Sequence, residues 1–148
     1  TEPIPAAQVS ATQPVSLATG TNLAGDVGLQ VRANATGAAS AFNYANPVTS
    51  AGTQVKTTAG RILAVCLTNT AASVRYVKFF NVATAPTMGT TSAAYEYAIP
   101  AGSSIQATFP QGLAHATGIF IAVTTAAGLT NNTSTTVANE VIGFVAFA

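Results

Sequence analysis

Several short stretches of the chain alternate between apolar and polar residues, and turn-forming residues separate these stretches. In residues 103–109, SSIQATF, every second residue is apolar. In residues 95–99, YEYAI, two tyrosines and Ile99 share one face and Glu96 lies on the other. Alternation with a period of two is typical of a β-strand that has one face on the core. Each stretch therefore predicts a strand, and the PAG between them predicts a turn.

A second kind of stretch is apolar on both faces. Residues 62–67, ILAVCL, predict a strand with Leu63, Val65 and Leu67 on one side. Ile62, Ala64 and Cys66 lie on the other side. A strand of this kind is covered on both faces, so we expect Cys66 to be a small buried side chain.

Residues 75–80, RYVKFF, interleave two cations with aromatic residues. Arg75, Val77 and Phe79 share one face of the predicted strand, and its other face carries Tyr76, Lys78 and Phe80. Long cationic side chains can cover apolar surface while their charged ends reach water. We therefore predict that one face packs on the core and that a partner subunit or the N-terminal segment covers the other.

The remaining pattern predicts strands at 27–33, at 119–125 and at 140–148, with loops at 110–118 and 126–135. The segment FNYANP, which contains Phe42 and Tyr44, is interpreted as part of a loop-rich stretch. No segment has a helical period. We predict an all-β fold of seven or eight strands, an antiparallel β-sandwich of jelly-roll-like type. The last strand is expected to pair inside a sheet, so removal of residues 143–148 should abolish folding.

The first 25 residues differ from the rest because Pro3, Pro5 and Pro14 interrupt them. Proline removes a backbone donor and restricts the preceding residue, so residues 1–25 are predicted to form an extended N-terminal arm and residues 26–148 the sandwich domain. The apolar residues of the arm are candidates for docking in a groove of a neighbouring subunit; they are Ile4, Val9, Val15 and Leu17.

Charge is scarce. Only 6% of the residues are charged, whereas soluble domains average about 25%. A net charge of +1 creates little long-range field, which argues against a nucleic-acid partner. A neutral surface can be buried against other subunits with few ions to desolvate, which favours a component of an assembly. No apolar run has the length of a membrane helix, and no signal peptide or disulfide framework is predicted.

The residues capable of chemistry are few. Glu96 and Glu140 are interpreted as solvated charges rather than as a glycosidase pair. Cys66 and His115 could form a nucleophile and a base, but no motif surrounds either of them. No phosphate-binding glycine motif is present, and too few ligands are available for a zinc site. We expect neither an enzyme nor a bound cofactor or metal.

From Gly60 onward the order of motifs resembles a β-sandwich domain found in virion proteins of tailed bacteriophages. The similar segments are RYVKFF, the turn containing AP and GT, the IP turn into a strand that ends in FPQG, and the TGI that opens the next strand. They cover about 60% of the chain and none of the first 59 residues. The resemblance implies a structural protein, and it brings no catalytic residues with it.

The resemblance implies a head decoration (cement) protein on the capsid surface of the virion, with the major capsid protein as partner. A threefold position on the shell would make a homotrimer the expected oligomer. The alternative is a tail or fibre component that binds the host, for which Phe42 and Tyr44 are the candidate carbohydrate contacts. Residues Tyr76, Lys78 and Phe80 complete the predicted partner interface.

Overall fold

The computed structural model describes residues 39–49 and 51–148. The predicted arm, the strand predicted at 27–33 and four of the predicted interface residues (Ile4, Val9, Val15 and Leu17) lie outside the described residues. The described part is all-β, as predicted, and contains eight strands: β1 (Ser40–Ala45), β2 (Thr53–Lys56), β3 (Gly60–Asn69), β4 (Arg75–Asn81), β5 (Tyr95–Ile99), β6 (Ser104–His115), β7 (Ile119–Thr124) and β8 (Val141–Phe147).

The strands form two antiparallel sheets of four. Sheet I has the order β1-β8-β3-β6, and sheet II has the order β2-β7-β4-β5. The first strand pairs with the last, the second with the seventh, the third with the sixth and the fourth with the fifth. This nesting, with successive pairs assigned to alternate sheets, is the topology of a jelly roll. The predicted fold class is confirmed.

The core lies between the sheets and is built from every second residue of the strands. Val77 and Phe79 of β4 face Val65 and Leu67 of β3 across it, and all four are buried. The predicted faces of β5 and β6 are also confirmed, since Tyr95, Tyr97, Ile105, Ala107 and Phe109 pack against this cluster. Because each strand buries one face here, the opposite faces are the surfaces on which function can be built.

The strand β3 departs from strict alternation. Its register shifts between Ile62 and Ala64 against both β6 and β8. A bulge of this kind inserts a residue and changes which side the chain faces. Ile62 and Val65 are therefore both buried in the core, whereas Leu63 is only half-buried. We predicted that Leu63 and Val65 share one face and that Ile62 lies on the opposite face. The bulge makes this prediction wrong.

Two segments interpreted as loops are strands. β6 continues through Pro110 to His115, which is possible because β6 is an edge strand and Pro110 needs no donor on its outer side. Residues 40–45 form β1 at the opposite edge of sheet I, although Ala and Asn are poor strand formers. Pairing with β8 and burial of Tyr44 override that local preference.

The terminal strand pairs inside a sheet, as predicted, because β8 lies between β1 and β3. Gly143 makes this possible. It has φ of 147°, and a Cβ built at this position would collide with the carbonyl oxygen of Cys66 on β3. No side chain fits there without separation of the two strands.

Candidate docking face

The outer face of sheet II is covered by loops of the same chain. Phe80 is fully buried and forms a small second core with Phe120, Ala122 and Ala93, against which Val82 and Met88 pack. Ala93 and Met88 belong to the β4–β5 connection. The prediction that a partner covers Phe80 was wrong, because a loop whose path the sequence does not reveal already covers it.

Lys78 lies on the same outer face and is also fully buried. Its Nζ donates hydrogen bonds to the carbonyl oxygens of Gly128 (2.6 Å) and Asn131 (2.9 Å), and lies 3.6 Å from the carboxylate of Glu96. Glu96 in turn accepts a hydrogen bond from the Gly128 N–H. Burial lowers the pKa of Lys78, and Glu96 partly opposes that shift. Lys78 therefore anchors the β7–β8 loop and cannot contact a partner.

Tyr76, the third predicted interface residue on this face, is half-buried. Its contact with a partner stays a prediction.

Arg75 and Glu140 form the second ion pair. The guanidinium donates two hydrogen bonds of 2.8 Å to the two carboxylate oxygens, and the side chains are only 9% and 12% exposed. Arg75 was predicted to reach water or a partner, and both glutamates were interpreted as solvated charges. These predictions were wrong, because each glutamate is engaged with a cation of its own chain.

The outer face of sheet I is different. Strand register aligns its outward residues in three cross-strand rows of four. The rows are Ala45–Ile142–Thr68–Ser104, Asn43–Phe144–Cys66–Gln106 and Ala41–Ala146–Ala64–Thr108. We call these residues the docking face. It carries no charged side chain.

The centre of the docking face is apolar and accessible. Ile142 and Phe144 are 39% and 38% exposed, and they are two of the five large hydrophobic residues exposed in the described part of the chain. Cys66 stands beside Phe144 and is half-buried, so its predicted full burial was wrong. The edge strand β6 contributes polar side chains, and Thr68 bonds to Ser104 across the strands at 2.7 Å. An apolar centre beside a polar edge is the arrangement found in protein interfaces.

The docking face has limited area. Four strands about 4.8 Å apart and three rows about 6.8 Å apart give about 400 Å². A stable interface of standard size buries about 800 Å² on each partner. A partner bound stably must therefore contact a second surface as well.

The structure does not support the other predicted sites. Cys66 faces outward on β3, whereas His115 is buried at the end of β6 with its ring 5.7 Å from that of Tyr95, so the two cannot act as nucleophile and base. Phe42 and Tyr44 belong to β1 and pack on the core, which removes them as carbohydrate contacts. Among residues 39–49 and 51–148, no three His, Cys, Asp or Glu side chains come close enough to hold a metal ion.

Sequence reasoning missed the docking face, although a signal for it was present. Residues 141–147, VIGFVAF, are apolar on both faces of the strand. One face had to fill the core and the other had to lie outside it. The sequence does not reveal whether a loop of the chain covers that second face.

Comparison of the chain with protein-family models, with curated proteins and with solved structures found no match. In the described part of the chain, no helix has the length and apolarity needed to cross a membrane.

Proposed function

We propose that this chain is a structural protein of a tailed-bacteriophage virion, a capsid decoration (cement) protein that binds the major capsid protein and stabilises the head. The observation that carries the proposal is the contrast between the two outer sheet faces. Loops of the chain cover the face of sheet II, whereas the face of sheet I is uncharged, apolar at its centre and accessible.

The fold supports this role by analogy. Jelly rolls recur in viral capsid domains and in lectins, although a fold by itself does not specify a function. The order of motifs from Gly60 onward, which resembles that of phage virion proteins, favours the first of these classes.

The energetics also support attachment to a protein shell. The docking face has no ion to desolvate, so its burial gains the hydrophobic contribution of Ile142 and Phe144 without an electrostatic cost. Because the face supplies about half of a standard interface, we propose that residues 1–25 supply the rest by binding a neighbouring capsid subunit. We further propose a homotrimer located at threefold positions of the shell.

A direct test replaces Phe144 by Asp, which places a charge at the centre of the docking face. Occupancy on capsids of the encoding phage that have been stripped of the protein should fall at least about tenfold, because an unpaired carboxylate would be buried on binding. Leu129→Asp is the matched control, since Leu129 is an exposed hydrophobic residue of the β7–β8 loop on the outer side of sheet II. Equal occupancy by the two variants, with unchanged melting temperatures, would contradict the proposed face.

Cys66 provides a second, independent readout. It is the only cysteine of the chain and lies in the middle row of the docking face. Its rate of modification by a thiol reagent should drop when the protein binds the capsid. A rate equal to that of the free protein would mean that the face stays open in the assembly.

The contribution of the N-terminal arm is tested by deletion of residues 1–20. We expect weaker capsid binding and an unchanged melting temperature of the sandwich. Unchanged shell occupancy would exclude a role for the arm. Copy number in purified particles separates the head from the tail: a number that scales with the capsid subunits supports decoration, and a few copies per particle would indicate a tail or fibre component.

A further inference from the structure

Four of the six charged side chains in the described part of the chain form ion pairs with one another. Arg75 pairs with Glu140 and Lys78 with Glu96, and these are the ion pairs formed by side chains of residues 39–49 and 51–148. Two cationic side chains of that part remain outside them, Lys56 and Arg61. Because the chain has so few charged residues, the position of these two cations can indicate a binding site.

Both cations line the same cavity. It has a volume of about 500 Å³ and lies at one end of the sandwich, where β2 ends and β3 begins. Lys56 folds back across Gly60, such that a Cβ built on Gly60 would lie 3.1 Å from Nζ. Its ammonium also lies 5.9 Å from the centre of the Phe147 ring. The glycine therefore lets the ammonium approach the backbone next to Arg61.

Most of the polar side chains that line the cavity can donate hydrogen bonds to a ligand. His115 lines it as well, and its Nε2 has no hydrogen-bond partner among the described residues. One nitrogen of Arg61 donates to the carbonyl oxygen of Gln111 at 2.8 Å, which fixes the guanidinium and leaves further N–H groups for a ligand. Asn81 also lines the cavity, and its Oδ1 already accepts hydrogen bonds from the N–H and hydroxyl of Thr117. Its NH₂ group is the part that remains to bind a ligand.

The walls between these donors are formed by small side chains, those of Ala59, Ala114 and Ala116. A volume of this size lies within the range of small-molecule sites, about 300–1,000 Å³. The cavity thus combines two cations that form no ion pair with the described residues, an amide donor and room for a compact ligand.

We propose that this cavity is a binding site for a small ligand that carries an oxyanion, either a carboxylate or a phosphate. Lys56 supplies a compact charge, Arg61 a planar pair of donors and Asn81 a neutral donor. Ala148 also lines the cavity, and its carbonyl oxygen already accepts a hydrogen bond of 2.9 Å from the backbone N–H of Arg61. The site is distinct from the docking face, so each of the two can fail without the other.

The test is an amide NMR titration of the full chain with inorganic phosphate, acetate and glucuronate, against sodium chloride at matched ionic strength. We expect saturable shifts at Gly60, Arg61 and Ala116 with at least one of the three anions. Phosphate alone would identify the ligand as a phosphate, and glucuronate alone as a sugar acid. Shifts that match those of chloride, or none, would overturn the proposal.

Charge variants establish which groups bind. Lys56→Gln and Arg61→Gln should each weaken binding about tenfold, since each removes a hydrogen bond from a charged donor. Lys56→Arg keeps the charge and should retain most of the affinity. Affinity unchanged in both Gln variants, or binding seen only with an acidic peptide and with no free anion, would overturn the site as proposed.

Discussion

The two carboxylate oxygens of Glu140 accept hydrogen bonds of 2.8 Å from Nε and Nη2 of Arg75, a residue 65 positions earlier in the chain. The pair connects the start of β4 in sheet II with the residue before β8 in sheet I. It therefore holds one end of the sandwich together.

Loss of one partner of this pair should be costly. Glu140→Gln leaves a nearly buried guanidinium without its counterion, so we expect a loss of about 3 kcal/mol in the free energy of unfolding. The double variant Arg75→Met, Glu140→Leu should recover most of that loss. Urea unfolding of Arg75→Met, Glu140→Leu and the double variant measures the coupling, and additive losses would show that the pair contributes little.

Lys78 is expected to control the β7–β8 loop rather than the whole fold. Lys78→Met removes the donor that holds the carbonyl oxygens of Gly128 and Asn131. Hydrogen exchange of residues 125–134 should accelerate, whereas amides of β4 and β7 stay protected. Glu96→Gln keeps an acceptor for the Gly128 N–H and should have a smaller effect. Uniform acceleration over all strands would contradict a local role.

The Tyr44 hydroxyl is buried and has no hydrogen-bond partner among the described residues. Burial raises its pKa, and that of Tyr97, above the usual 10.0. The unfolded chain therefore loses these protons first, so stability is fully present below pH 10.0 and falls as the pH rises above it. Tyr44→Phe should add about 1 kcal/mol at neutral pH and shift alkaline unfolding to higher pH. A destabilised Phe variant would reveal an unseen partner for the hydroxyl.

His115 gives the opposite pH dependence. Burial lowers its pKa below 6.5, and the hydrogen bond between its Nδ1 and the Leu113 carbonyl opposes this only in part. Below pH 6.5 the unfolded chain takes up a proton that the folded chain resists, so stability falls as the pH falls through this region. His115→Phe should reduce the difference in urea midpoint between pH about 7.5 and about 5. An unchanged difference would assign the acid sensitivity to other groups.

Gly143 should tolerate no side chain. In Gly143→Ala the new methyl group would meet the Cys66 carbonyl, so β8 could not pair with β3 and the protein should fail to fold. Ala146→Ser, on the outer face of the same strand, is the control and should fold normally. A soluble Gly143→Ala variant with a sharp melting transition would show that the strands can separate at little cost.

The fold class could be predicted from the order of residues alone, because the alternation of apolar and polar residues along β5 and β6 is a local property of any strand with one face on a core. The sequence also revealed that the segments containing RYVKFF and VIGFVAF have two apolar or bulky faces. The sequence did not reveal which side chains of β3 face the core, since the bulge in β3 depends on how the two neighbouring strands pair with it.

Which outer sheet face stays accessible depends on the packing of the loops in three dimensions. The loop that holds Lys78 lies 50 or more residues after it in the chain, whereas the connection that packs on Phe80 follows β4 directly. No periodic pattern encodes the path of either loop. The same reason explains the unexpected partners of the charged residues. Arg75, Lys78 and the two glutamates are isolated in the sequence. Arg75 meets Glu140 where the two sheets approach each other, whereas Lys78 and Glu96 are cross-strand neighbours on β4 and β5. Lys56 and Arg61 lie outside these ion pairs and line one cavity, and Phe144 remains exposed at the centre of the docking face.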